Sequence, residues 1–312
     1  MRKLQNSMAT GATRIISGIL GPSKYESLLC RVGSDPNLCR RFKGRAWINL
    51  YCSRFTSDQI RLAELPGYKL WVNIREPLGY LHYFFRENLP PPPLLRLLSK
   101  VHTFFDIGSN MGGWALYVAG AGNPSAQVHA FEPNPRNAEL ITRSIHENGF
   151  ENRVTVDRRA VSESSHQRLT FYLSTDPQNS GQSSIVNHGY NTDVRHTLEV
   201  TTVTFDDYCA ERGIESVDFA KIDVERAEAM VVRGMAGMLA RRRVHYAYVE
   251  LNVGEESHHL LLAAGYTAFF IDKTTGMMVP AAQAADGDFL DLLFVNPDRL
   301  AEFQADFGLT VG

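Results

Sequence analysis

Thr103-Phe104-Phe105-Asp106-Ile107-Gly108-Ser109-Asn110-Met111-Gly112-Gly113 is the stretch that decides the architecture. An apolar run of strand length ends in an acid, bends through glycines and enters a segment with helical spacing, as when a buried parallel strand hands over to a crossover helix. Glycine at the bend lets the backbone come close to a ligand, since no Cβ intervenes. Asp106 then stands at the carboxyl end of its strand, the edge at which open α/β sheets bind ligands. Outward from this point the pattern repeats. Candidate strands cover 101–107, 126–132, 153–161, 217–224, 244–251, 266–272 and 288–295, with helical stretches near 112–122, 135–149, 226–240 and 254–264. The expectation is an α/β fold with a doubly wound, mostly parallel seven-stranded sheet that ends in an antiparallel strand.

The proline run Pro90-Pro91-Pro92-Pro93 cannot continue a helix or a central strand. It is taken as a boundary between an N-terminal accessory region, 1–93, and a main domain, 94–312. Residues 175–198, with Asn179-Ser180-Gly181-Gln182-Ser183-Ser184, break the alternating rhythm and read as a mobile insertion. With a net charge of −2 the chain has no overall basic footprint for nucleic acid, although Arg241, Arg242 and Arg243 form a local cluster. Cys30, Cys39, Cys52 and Cys209 lack zinc-site spacing and are expected to be reduced thiols. Neither a secretory leader nor an apolar run of about 18 residues is present, so a cytoplasmic location with no membrane partner is expected.

The second candidate strand, Ala126-Gln127-Val128-His129-Ala130-Phe131, ends in Glu132, and an ionised carboxylate there can accept hydrogen bonds from both hydroxyls of a ribose. A dinucleotide fingerprint needs three glycines at fixed offsets, but Ser109-Asn110-Met111 separate Gly108 from Gly112. No Walker lysine follows a strand either. S-adenosylmethionine therefore fits this turn better than a nicotinamide cofactor, with Asp106 read as the acceptor for the ammonium of its methionine moiety.

These pieces resemble the FkbM family of methyltransferases. The resemblance rests on Phe105-Asp106-Ile107-Gly108-Ser109-Asn110-Met111-Gly112, Phe131-Glu132-Pro133-Asn134-Pro135, Ala160-Val161-Ser162, Lys221-Ile222-Asp223-Val224-Glu225-Arg226-Ala227-Glu228 and Val249-Glu250, and it covers residues 100–252 in order and spacing. It implies S-adenosylmethionine as donor and oxygen as the usual acceptor. Asp106, Gly108, Asn110 and Gly112 are implied around the methionine end, Glu132 at the ribose, Asn134 near that edge and Ala160 near the adenine. The resemblance also implies that Asp223 and Glu225 face the sulfonium and the acceptor, and Asp223 is the first candidate for a general base, with Glu225 second. This chain departs from the family at Arg226, where the family has glycine; the arginine is read either as a contact to an acidic acceptor or as a side chain in solvent.

The expected activity is O-methylation of a small molecule or sugar. Alternatives are a catalytically silent binding module and, on the shared fold alone, a nicotinamide-dependent oxidoreductase. A divalent metal shared by Asp223 and Glu250 is a further reading, because hard oxygen ligands suit Mg²⁺. His188 and His196 flank the insertion within reach of an acceptor, and His258 and His259 open a helical stretch; histidines in such polar segments are more often surface groups. Asp223-Val224-Glu225-Arg226 occupies the place where amino-directed nucleic-acid enzymes carry an Asn/Asp-Pro-Pro-aromatic turn, and the Pro-Cys nucleophile of cytosine chemistry is missing, which argues against nucleic-acid methylation.

Overall fold

The structure, a computed structural model, describes residues 22–33, 51–52, 55–87, 90–176, 178–187 and 196–309. Cys39 and His188 lie outside the described residues. Cys30, Cys52 and Cys209 are thiols. The chain opens with α1 (Pro22–Gly33), the hairpin β1 (Ile60–Leu65) and β2 (Tyr68–Asn73), α2 (Pro77–Phe85) and α3 (Pro92–Leu98). The first half of the main sheet follows: β3 (Thr103–Ile107), α4 (Gly113–Tyr117), β4 (Gln127–Phe131), α5 (Pro135–Asn148) and β5 (Val154–Asp157). A small sheet is then built from β6 (Ala160–Val161), β7 (Arg168–Tyr172) and β8 (Thr197–Val203). The chain returns through α6 (Phe205–Arg212), β9 (Val217–Ile222), α7 (Glu228–Arg233), α8 (Ala236–Ala240), β10 (Val244–Asn252), α9 (Glu256–Ala263), β11 (Thr267–Ile271), β12 (Met278–Pro280), β13 (Phe289–Val295) and α10 (Leu300–Phe307).

The main sheet has eight strands in the order β12-β11-β13-β10-β9-β3-β4-β5. Pairings from β10 through β9, β3 and β4 to β5 are parallel. The reversal of order at β3 and β9 places a switch point where the glycine turn was expected. Successive side chains of β3 point to opposite faces, so Phe104 joins an apolar layer with α4 and α5 while Phe105 joins one with α6, α7 and α9. The fold is therefore the doubly wound α/β class that the sequence predicts.

Four details differ from the expectation. The antiparallel strand β13 is not at the edge: it lies between β10 and β11, and Leu292, Leu293, Phe294 and Val295 are buried, as an interior strand requires. The edge is the extra strand β12. The expected strand 153–161 breaks after Asp157, whose Oδ1 accepts the Arg159 N–H at 2.8 Å and turns the chain so that β6 joins the small sheet. The expected helix 226–240 divides into two, because Asp206 binds the Gly237 and Met238 N–H groups at 2.7 and 2.9 Å and so starts α8 afresh. Lastly, the proline run starts α3 without separating two cores. Residues of the β1–β2 hairpin and α2 share one apolar layer with α3, α4 and α5.

The hairpin is tied to α5 by side chains that bond its backbone. Trp71 N–H donates to Ser144 Oγ at 2.8 Å, and Asn148 accepts the Lys69 N–H at 2.8 Å while donating to Lys69 O at 2.7 Å. The Arg143 guanidinium lies 4.0 Å from the centre of the Trp71 ring. No helix among the described residues is long and apolar enough to cross a membrane. Replacing Asn148 by Ala leaves both Lys69 backbone groups without that partner and is expected to lower stability by about 1–3 kcal/mol. Urea unfolding with an unchanged m-value checks this.

Candidate active site

The turn after β3 is held by its neighbours. Gly108 N–H and Ser109 N–H both donate to Phe131 O, at 3.1 and 3.0 Å. Gly108 has φ +80°, and a Cβ at this position would lie 1.8 Å from Asp223 O, so only glycine lets the turn pass the end of β9. Asn110 also sits in the left-handed region, at φ +51°. Its N–H donates to Glu132 Oε2 at 2.7 Å, and the Asn134 N–H donates to Glu132 Oε1 at 2.9 Å. Glu132 thus joins the turn to the start of α5. Burial pushes its carboxyl up to about 8, against two N–H bonds that favour the ionised form.

Lys221 and Asp106 are register partners on β9 and β3, so their side chains share a face. The Lys221 ammonium donates to Gly108 O at 2.7 Å and lies 3.2 Å from Asp223 Oδ2 and 3.8 Å from Asp106 Oδ1. Burial lowers its pKa, but Asp223 and Asp106 more than offset this and hold it above the usual lysine range. Asp106 is 1 % exposed; its Oδ2 accepts the Ala115 N–H at 3.1 Å, and its Oδ1 has no hydrogen-bond partner among the described residues.

A cleft of about 270 Å³ opens along this edge. Of the residues singled out in the sequence, Gly108, Asn110, Glu132, Ala160, Asp223 and Glu225 line it. Asp106, Gly112 and Asn134 do not. Asp106 does not line the wall; it is buried, with the Lys221 ammonium 3.8 Å from its Oδ1. Gly112 precedes α4, and Asn134 caps α5 by accepting the Arg136 N–H at 3.1 Å. His196 and the α9 histidines are also outside the wall, and His258 Nδ1 accepts the Gly254 N–H at 3.2 Å.

Past β9 the backbone of Glu225 and Arg226 is left-handed, at φ +54° and +74°. This is the region where glycine is at ease, which explains what the departure at Arg226 costs the chain; its side chain is exposed. Arg226 also precedes the helix proper, whose start is held by Glu228 Oε1 accepting the Val224 and Arg226 N–H groups at 3.0 and 3.3 Å. Asp223, Glu225 and Glu250 each bring a carboxylate oxygen within 4.8 Å of the others. Burial, then Asp223 and Glu228, push Glu225 up to about 7; burial, then Asp223 and Asp291, push Glu250 up as well.

Several wall residues carry little signal of their own in the sequence. Glu76, Pro77 and Leu78 come from the N-terminal region, and Asn179, Ser180, Gly181, Ser183, Ser184 and Ile185 come from the stretch read as an insertion. Ser184 Oγ donates to Val224 O at 3.0 Å, which ties that stretch to the end of β9. Lys221 was visible as a lysine inside an apolar strand, Val217–Ile222, a placement that signals a buried charge.

Replacing Lys221 by Met leaves Asp106 and Asp223 without their shared cation, with an expected loss of about 3–5 kcal/mol. Adding Asp106→Asn removes the buried carboxylate and recovers most of that loss in a urea double-mutant cycle. The raised carboxyls also set a pH dependence. Glu132, Glu225 and Glu228 bind protons more tightly folded, at about 8, about 7 and about 7, than unfolded. Their contribution is fully present below the ordinary glutamate range and is lost as pH rises through these values. Glu228→Gln keeps Oε1 for both backbone bonds and removes one titration, so its stability falls less steeply between about pH 5 and pH 8 than the wild type's.

With the site in view, comparison with known proteins is direct. The "Methyltransferase FkbM domain" matches residues 106–266, which hold the turn, Glu132, Ala160, Asp223, Glu225 and Glu250. The "31-O-demethyl-FK506 methyltransferase FkbM" of Streptomyces tacrolimicus is 31% identical over 207 residues, covering 57% of this chain and 77% of the relative. The "Hexuronic acid methyltransferase AglP" of Haloferax volcanii is 26% identical over 213 residues, covering 67% of this chain and 81% of the relative. The "2-O-methyltransferase NoeI" of Sinorhizobium fredii is 30% identical over 164 residues, covering 49% and 65%. A strand-edge cleft built from these motifs, and a domain match over more than half of the sequence, make this chain a member of the FkbM methyltransferase family.

Proposed function

We propose that the chain is an S-adenosylmethionine-dependent O-methyltransferase acting on a hydroxyl of a small molecule or sugar. The observation that carries this reading is a single cleft lined by Glu132 and by Asp223, Glu225 and Glu250, the last three with carboxylate oxygens within 4.8 Å of one another. The residues suit the donor. Each Glu132 oxygen uses one lone pair on a backbone N–H and keeps acceptor capacity for a ribose hydroxyl. Phe131, Ala160 and Val161 offer an apolar wall to the adenine, and the three acids complement a positively charged sulfur.

Bound S-adenosylmethionine supplies a methyl group already activated for transfer. What remains for the chain is to align the acceptor, exclude water and take a proton from the hydroxyl. In this reading Asp223, 3.2 Å from the Lys221 ammonium, takes that proton, and Glu225, pushed up to about 7, is the second candidate. Lys221 already offsets part of the acidic charge, and no step is assigned to a divalent metal. The acceptor class draws on the relatives named for a hexuronic acid, for FK506 and for 2-O-methylation.

Titration calorimetry is expected to show saturable binding of S-adenosylmethionine, weakened about tenfold in Glu132→Ala by loss of the hydrogen bonds to the ribose. With isotopically labelled donor and a panel of sugars and hydroxylated small molecules, one product should gain one labelled methyl group on oxygen. Asp223→Asn should lower kcat by roughly 10²–10⁴, a larger factor than its effect on donor affinity. A folded protein that binds no donor overturns the proposal.

A further inference from the structure

Glu76 lies outside the family domain, yet it is a wall residue of the cleft. It is 6 % exposed, and both of its carboxylate oxygens are engaged. Oε1 accepts from Asn73 Nδ2 at 3.2 Å, whereas Oε2 accepts both the Ser180 N–H at 3.0 Å and the Ser180 hydroxyl at 2.7 Å. Ser180 opens the short helical turn Ser180–Gln182, which is thereby fastened to the N-terminal cap of α2.

From Ser180 the contacts run inward to the glycine turn. Ser180 Oγ lies 3.2 Å from Asn137 Oδ1 on α5, Asn137 Nδ2 donates to Asn110 Oδ1 at 3.1 Å, and the Asn110 N–H is held by Glu132. Gly181 sits directly over Asn110: a Cβ there would fall 2.9 Å from Asn110 Nδ2 and 3.2 Å from Asn179 Oδ1. A side chain at 181 would press on the amide of the left-handed Asn110, so the turn rests against that residue. Two segments about 100 residues apart in sequence (|i−j| = 104) meet here, and neither contact belongs to the strand-edge motifs.

We propose that Glu76 is a positioning residue for the donor: it latches the Ser180–Gln182 turn over Asn110 and so encloses the end of the cleft next to the glycine turn. The inference rests on the donor reading above. Glu76 acts through Ser180 and Asn110 and not on the transferred group. A latch of this kind lengthens the stay of a bound nucleoside, because the turn must lift before the ligand can leave.

The test uses the full chain, with S-adenosylhomocysteine as probe, and measures affinity and dissociation rate together with backbone hydrogen exchange. Glu76→Ala and Ser180→Ala are each expected to raise Kd about tenfold, mainly through faster dissociation, as loss of a charged hydrogen bond implies. The double variant should be no weaker than either single one, since both remove the same latch. Glu76→Gln, which keeps an oxygen for Ser180, should recover most of the affinity. Amides of 178–187 should exchange faster in the Ala variants while β3 and β9 keep their protection, a pattern that general destabilisation does not produce. Should Glu76→Ala fail to fold, Ser180→Ala alone decides. Wild-type binding together with unchanged Kd and dissociation rate in folded Ser180→Ala overturns the latch and leaves the donor reading standing. A wild-type protein that does not bind the probe overturns both.

Discussion

A buried ammonium holds the centre of this molecule. Lys221 reaches from the interior of β9 to Gly108 O, Asp106 and Asp223, and so connects the first strand of the sheet, its glycine turn and the acid at the end of the neighbouring strand. Removing charges from water is costly, and the cost is offset only when each charge meets its counter-charge and hydrogen bonds at close range. The arrangement meets that condition for the lysine. It also spaces the turn so closely to β9 that position 108 admits no side chain. The shape of the cleft and the packing of the central strands are two consequences of one ion cluster.

Around that cluster the sheet behaves as a slab with one chemically active edge. Apolar layers on both faces keep the strands rigid, with Phe104 and Phe219 on one side and Phe105 and Phe131 on the other. The carboxyl ends of β3, β4, β9 and β10 then emerge at the same edge, because parallel strands share a direction. Glu76, Glu132, Asp223, Glu225 and Glu250 line one cleft, while the guanidinium of Arg159, also in the wall, is engaged by Asp157 and Glu211. Crowded, half-dry carboxyls hold their protons above the usual glutamate range, and a cationic ligand would favour their ionised form.

The start of α2, which follows the N-terminal hairpin, and the segment around Ser180 give the cleft its remaining walls. Neither resembles a separate module. The hairpin shares the apolar layer of α4 and α5, and its backbone is bonded by Ser144 and Asn148. Ser184 bonds Val224 O at the end of β9, so the stretch read from composition as a mobile insertion has fixed attachments at 180 and 184. Polar, glycine-bearing sequence describes a segment that lacks its own core, not one that lacks partners.

The alternation of apolar runs with helical stretches, the glycine bend at Gly108 and the acids closing successive strands were enough to derive an α/β doubly wound fold and its switch point. Each of these is a local property, set by steric freedom at one residue or by burial along one strand. Long-range pairings were out of reach of that reading. Lys221 lies beside Asp106 from the neighbouring strand, β13 inserted between β10 and β11, and Glu76 met Ser180 across the chain. Those outcomes depend on which surfaces come together once the strands pair, and no single stretch of residues contains that information. The sequence by itself determined the strand ends and the groups they carry; the tertiary structure decided which of them face the cleft, because side-chain direction and burial are settled only when both faces of the sheet are covered.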